Sequence, residues 1–360
     1  MMRGIPPVRR RFGFATHARQ TGAIAGTSFW AIAKSPAGLV LPAVAMLLVL
    51  LVPVFVKNKG VSLLPTTALV LSKLIAPVAE NPRLPWVLIP LLIIYWAGEL
   101  VWRERDAGTG EIADATPVRE WVLVLGKFLG LALVLVGWMA LLVAAGVLVQ
   151  MRMGYFLFEL GLYLRILFAL QLLDYLIFAL LVLVVHAVAN QKQMGYLAVL
   201  VGYGVILFPS FLGIKHHLLI YGSSPRWSYS VISGFGSSLG PWMWFKLYWA
   251  AWALLLAVAA RLLWPRGAEC GPRSRLHLAR RRFTRPTAAM AATAVTLIFS
   301  AGGFILYNTD VLHASTTSDR THARLSRRGT QEGGERERDS ALQEIGISTD
   351  GLPTANRRVR

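Results

Sequence analysis

Runs of about 20 apolar residues recur along this chain, each long enough to cross about 30 Å of hydrocarbon at 1.5 Å per helical residue. Two of them are GLVLPAVAMLLVLLVPVFV at 38–56 and LPWVLIPLLIIYWAGELVW at 84–102. The others fall at about 122–149, 163–188, 194–214, 242–264 and 288–307. An unpaired backbone amide in lipid costs several kcal/mol, so each run is expected to be helical. The runs are continuous rather than alternating, which is not the pattern of a membrane barrel. At 55% hydrophobic, the chain exceeds the apolar share of ordinary soluble domains. The expected fold class is all-α: a polytopic membrane helical bundle of about seven transmembrane helices, a six-span core plus one extra span.

The net charge of +19 is placed beside these runs and in the C-terminal tail. Basic residues next to spans report orientation and anionic lipid more than nucleic acid, and no nucleic-acid module signature occurs. Arg3, Arg9, Arg10, Arg11, Arg19 and Lys34 precede the first span. Arg103, Arg105 and Arg119 follow the second, and a cluster from Arg266 to Arg285 follows the sixth. The intervening loops are poorer in Lys and Arg, so the N-terminus is expected in the cytoplasm and the C-terminus outside. The corresponding location is the inner (plasma) membrane, with membrane lipid as a partner. The one cysteine, Cys270, excludes an intrachain disulfide and a multi-cysteine zinc site. The basic N-terminus lacks the apolar core of a signal peptide.

These features divide the chain into a cytoplasmic arm (1–37), a six-span core (38–264), a basic cytoplasmic loop (265–287), a seventh span (288–307) and an extracytoplasmic tail (308–360). Within the arm, QTGAIAGTSFWAIAKSP at 20–36 reads as an interfacial helix or as a disordered arm. The loop at 215–241 is too apolar for a free linker; it re-enters the outer leaflet or folds over the bundle. The tail from 313 has no aromatic residue of the Phe, Trp or Tyr type. It is expected to be disordered, because it cannot bury enough apolar surface to offset ordering entropy.

ELVWRERDAGTGEIADATPVREWVLVLGK, from Glu99 to Lys127, concentrates charge between two apolar runs. It carries Glu99, Arg103, Glu104, Arg105, Asp106, Glu111, Asp114 and Glu120. Trp102 suits the interface. Gly108 and Gly110 break the helix, and 111–115 reads as a short helical turn. Thr116-Pro117 reads as N-cap and first residue of the next span, with Lys127 snorkelling back to the surface. The stretch is thus a tight cytoplasmic elbow between two helices, or a plain solvated loop whose charges only fix topology.

Glu99, Arg103, Glu104, Arg105, Gly108, Glu111, Ile112, Thr116, Pro117, Val118, Gly126 and Lys127 together resemble the connector of permease subunits of type-2 ATP-binding-cassette exporters. The resemblance implies that the 103–120 connector docks on a separate ATPase. Its ATPase-coupling residues would be Glu99, Arg103, Glu104, Arg105, Asp106, Glu111, Thr116, Pro117 and Lys127. It also implies a homodimer or a second permease partner, because one such block encloses no pathway alone. ELVWRERD, FKLYWAAWALLLAVAARLLW (245–264) and GGFILYNTDVL (302–312) are similar to the membrane part of bacterial fusions of a permease to a zinc aminopeptidase of the gluzincin type. This chain departs from them in two ways: it has no upstream permease-like block, and its residues from 313 do not resemble the expected continuation. No His-Glu-x-x-His pair occurs, which a zinc protease of that type needs. A truncated or frame-altered relative, with a non-family tail, is the expectation.

No phosphate-binding Gly-x-x-x-x-Gly-Lys-Ser/Thr loop occurs, so ATP is expected on a separate subunit and no cofactor in this chain. Gln171, Asp174 and His186 are polar groups within the fourth span. Such groups are functional candidates by default, or else interhelical hydrogen-bonding residues. A charged Asp174 would need a cation, and the sequence puts none evidently at its depth. His216-His217 point to different faces and lack an acidic partner, so no metal site is expected there. GSSLG (236–240) matches a nucleophile elbow only in its letters, because it lies in a loop rather than at a strand-to-helix turn; no catalytic residue is assigned. Three readings stand: an exporter permease, a non-transporting membrane anchor left from an aminopeptidase fusion, and a secondary transporter using Asp174.

Overall fold

In the computed structural model the described residues are 13–58, 66–71, 84–116, 118–189, 191–209, 213–214, 217–225, 227, 229, 232, 234–264 and 272–311. No strand occurs among them. The helices are α1 (Phe14–Ala33), α2 (Pro36–Asn58), α3 (Thr67–Val70), α4 (Leu84–Asp106), α5 (Gly110–Ala115) and α6 (Glu120–Arg152). α7 (Leu160–Leu164) runs through a π-helical stretch, Arg165–Gln171, into α8 (Leu172–Val188). Then come α9 (Lys192–Leu207), α10 (Leu239–Leu263), α11 (Pro272–Arg282) and α12 (Arg285–Leu306). The chain divides after Gly302 into two units, and the second is described only over the end of α12 and a π turn at Tyr307–Val311. The remaining tail, with its expected disorder, lies outside the described residues.

Helices stand at all seven places where apolar runs were expected. Four stretches, Glu120–Arg152, Leu160–Val188, Leu239–Leu263 and Arg285–Thr309, are long and apolar enough to cross a membrane, and the bent pair α1–α2 adds a fifth if it is one span. Parts of α2 and α4 have side chains outside the described residues. α9 falls short. Its run was expected to reach 214, but the helix stops at Leu207 and Phe208 turns to φ −121°. Pro209 explains the stop, because a proline drives the preceding residue out of the helical region.

Between helices in lipid, apolar burial supplies no driving force, so close packing and hydrogen bonds hold the bundle together. Ile93, Trp96 and Ala97 of α4 meet Leu131, Leu135 and Met139 of α6 in the main cluster. The most extensive helix–helix contact is α1 against α6. α1 is longer than the interfacial helix expected at 20–36, beginning at Phe14, and it buries His17, Thr21, Ala25, Ser28 and Ile32 on one face. That face lies on Gly126 and Gly130, a small-xxx-small pair written GKFLG in the sequence. A Cβ on Gly126 would stand 2.6 Å from Ile24 Cγ2, and one on Gly130 would stand 2.5 Å from Ser28 Cβ and 2.9 Å from the Ala25 carbonyl oxygen. α1 then bends by 62° into α2.

The two ends of the bundle differ. At the end away from α5, Gln150 Nε2 donates to Thr67 Oγ1 (3.2 Å) and Tyr163 Oη donates to Gln150 Oε1 (2.9 Å). This buried chain of bonds fastens α3 and α7 to α6. The apolar loop between α9 and α10 folds into the same end. Tyr221 Oη donates to the Ile177 carbonyl of α8 (3.1 Å), and Trp249 Nε1 of α10 donates to the Ser223 carbonyl (2.7 Å). Ile177 lies well inside α8, so the loop re-enters the bundle rather than lying across its rim.

Gly130→Ala is expected to cost about 1–3 kcal/mol through overpacking against the α1 backbone. Gly137→Ala, on the same helix with open space at its Cβ, is expected to be neutral or stabilising by up to about 1 kcal/mol. Thermal unfolding of the two variants in mild detergent separates these outcomes.

Candidate functional site

The elbow between α4 and α6 is built by local rules. Gly108 adopts φ +68°, the left-handed conformation that glycine takes without strain. Its N–H donates to the Arg105 carbonyl (3.0 Å), and the Thr109 N–H donates to the Glu104 carbonyl (2.9 Å). These two bonds form a Schellman stop at the end of α4. α5 follows as the short helix expected at 111–115, and it exposes Ile112 at 72%. The next helix does not start at Thr116-Pro117 as expected. Its N-cap is Arg119, in extended conformation, and Glu120 occupies the first turn. A carboxylate is favoured at that positive helix end, and Arg282 Nη2 meets Glu120 Oε1 at 3.4 Å. Pro117 and the side chains of Glu111 and Asp114 lie outside the described residues.

Several of the elbow's charges turn inward rather than toward solvent. Lys127 does not snorkel to the surface. It is 3% exposed, donates from Nζ to the Leu100 carbonyl (2.9 Å) and pairs with Glu104 Oε1 (3.1 Å). Its ammonium also stands 5.5 Å from the centre of the Trp264 ring. The ammonium adds a second bond to a carbonyl inside α4 and meets the Glu104 carboxylate in its last turn, which explains the inward turn. Lys192, at the start of α9, reaches Glu99 Oε1 (2.9 Å) and Asp106 Oδ2 (2.6 Å). Hydrogen bonds to Asp106 and then to Glu99 hold its ammonium well above the usual lysine range. A raised folded value means that the pairing contributes fully below about pH 10.4 and fades only as pH rises beyond that. Arg282 Nη1 donates to the Trp264 carbonyl (2.7 Å) just past the end of α10. Arg103 and Arg105 stay exposed, with Arg105 over the Trp102 ring at 5.1 Å.

The polar groups of the fourth span are dispersed. Gln171 closes the π-helical stretch. His186 is fully buried and packs edge-on against Tyr196 of α9, ring centres 4.8 Å apart. Gly195 leaves the room for it, since a Cβ there would stand 2.7 Å from His186 Nδ1. Tyr196 Oη in turn lies 3.2 Å from the Tyr95 carbonyl and 3.4 Å from Glu99 Oε1. Asp174 does have a cation, contrary to expectation. Lys246 Nζ of α10 stands 2.5 Å from its Oδ1 and donates to the Gly222 carbonyl of the re-entrant loop (2.8 Å). The Lys246 side chain is 4% exposed.

Lys192, Lys246 and Arg282 were not singled out from sequence. Lys246 carried a usable signal: it is an ionisable residue inside the apolar run 242–264, the same ground on which Asp174 was chosen. His217 Nδ1 shares a hydrogen bond with Ser223 Oγ (2.7 Å), while His216 lies outside the described residues. Among the described residues no three His, Cys, Asp or Glu side chains are grouped to hold a metal.

The described residues thus form an all-helical bundle with four or five stretches able to cross a membrane. The family model described as ABC-2 family transporter protein matches residues 76–311, well over half of the chain, and the chain belongs to that family. It is thus a membrane permease component of an ABC-type transporter, of a kind that normally works with an ATPase subunit. No curated protein matches the chain.

Lys246→Met leaves the Asp174 carboxylate unpaired. Breaking a buried pair from one side costs about 3–5 kcal/mol; because Asp174 is partly open, the lower end is expected. Lys246→Met/Asp174→Leu, removing both charges, is expected to recover most of that loss in thermal unfolding.

Proposed function

We propose that the chain is the permease subunit of an ATP-driven exporter, coupled to a separate ATPase through the 103–120 connector. The observation that carries this reading is α5, a short helix in the elbow that leaves Ile112 72% exposed. An apolar side chain so placed suits a pocket on a partner. Glu99, Glu104 and Asp106 then serve to hold the elbow, while Arg105 and the part of α5 around Ile112 face the ATPase. Lys127, Lys192 and Arg282 tie the ends of α4, α6, α9 and α10 to one another, so a push on α5 moves them as one body. A homodimer or a second permease completes the pathway, with the elbow in the cytoplasm of a cell bounded by the inner membrane. The similarity to the membrane part of permease–aminopeptidase fusions belongs to the same reading. A secondary transporter working through Asp174 is less well supported, because Lys246 already occupies that carboxylate.

With the ATPase reconstituted, Ile112→Asp is expected to lower permease-dependent ATP hydrolysis at least about tenfold, as loss of a central apolar anchor does at an interface. The variant should still purify from membranes at the normal level; undiminished hydrolysis would overturn the coupling role.

The orientation has its own test. Cys270 lies outside the described residues, in the connector before α11, and is the chain's one thiol. A membrane-impermeant maleimide should label it in inverted vesicles and not in intact cells; the reverse pattern would invert the topology.

A further inference from the structure

An open groove of about 810 Å³ runs beside α1 and takes no part in the elbow's ion pairs. Gly22, Gly26, Trp30, Lys34, Ser35 and Arg103 line it. Its floor is bare, because a Cβ on Gly22 or Gly26 would meet nothing within 4 Å. Lys34 and Arg103 have no carboxylate partner among the described residues. Trp30 is 57% exposed, with the Lys34 ammonium 5.2 Å from its ring centre. The groove lies at the 62° bend where α1 passes into α2. Beyond the bend, α2 presents an exposed apolar strip of Leu39, Val40, Val44 and Leu47.

We propose that this groove binds an anionic phospholipid, its phosphate between Lys34 and Arg103 and its acyl chains along the α2 strip. Charge complementarity names the headgroup: two cations without described counter-ions flank a cavity with no acidic lining. Continuity names the tail, because the apolar strip begins where the cations end. Trp and Lys at the turn from an interfacial helix into a span mark headgroup depth, and basic pockets at that depth collect anionic lipid. The glycines leave α1 thin enough for the headgroup to lie against its backbone. The lipid then wedges the angle between α1 and α2.

The test is native mass spectrometry of the delipidated full chain with phosphatidylglycerol or phosphatidylcholine added back. The unchanged chain is expected to retain phosphatidylglycerol about tenfold or more over phosphatidylcholine, two basic contacts being enough for that preference. K34Q/R103Q is expected to bring the two lipids near parity. R280Q/R281Q removes two exposed cations elsewhere and is expected to keep the preference. G26L fills the groove without touching charge, and is expected to weaken phosphatidylglycerol retention even if K34Q/R103Q fails to fold. No preference in the unchanged chain would overturn the proposal. So would equal loss in R280Q/R281Q, or undiminished retention in G26L. A change in self-association without a change in lipid retention would assign the groove to a second copy of the chain instead.

Discussion

The ammonium group of Lys127 holds the elbow in place. It sits on α6, yet its bonds are to a carbonyl and a carboxylate of α4, the helix on the other side of the turn. A lysine buried in this way needs its ammonium hydrogen-bonded and paired by protein groups in place of water. It also neutralises Glu104 and packs its charge against the Trp264 ring. With the ends of α4 and α6 fixed to each other, the position of α5 follows from the Schellman turn alone. The same lysine lies between Gly126 and Gly130, whose bare surfaces admit α1, so one turn of α6 serves two helices on two faces.

The chain uses its buried charges at two levels. Near the elbow, Lys192 and its two carboxylates remain partly exposed, and such pairs contribute little each, about 0–1 kcal/mol. Their value lies in geometry, since they hold α9 against α4 at a fixed position. In the body of the bundle, Lys246 and Asp174 are costlier to separate, and the loop carbonyl of Gly222 joins them. That triad fastens the re-entrant loop to α8 and α10 together, so the loop does not move independently of either.

Much of this was legible in the sequence, wherever the cause was local. Apolar runs dictated the helices, Gly108 dictated the elbow's stop, and α5 appeared where a short helical turn was expected. Start and stop errors came from weighing one local signal over another. Thr116-Pro117 looked like a helix start, but Glu120 begins the helix, and Pro209 ended a run that hydropathy alone would have extended. The pairings were not legible, because Lys127 with Leu100 and Lys246 with Asp174 join residues on different helices. Periodicity says which face a side chain occupies, not which helix lies opposite. GKFLG was read only for its connector residues Gly126 and Lys127; that Gly126 and Gly130 admit α1 emerges from the packing.

α9 stops at Leu207, and its sixteen residues rise only about 24 Å, against about 30 Å of hydrocarbon. Met194, Leu197, Leu200, Val201 and Val205 nevertheless lie exposed along it, as a lipid-facing side would. The bilayer against that side is therefore pinched by several ångströms, or topped by protein where the helix gives out. Either way, how far this side of the bundle reaches across the bilayer is set by a single proline.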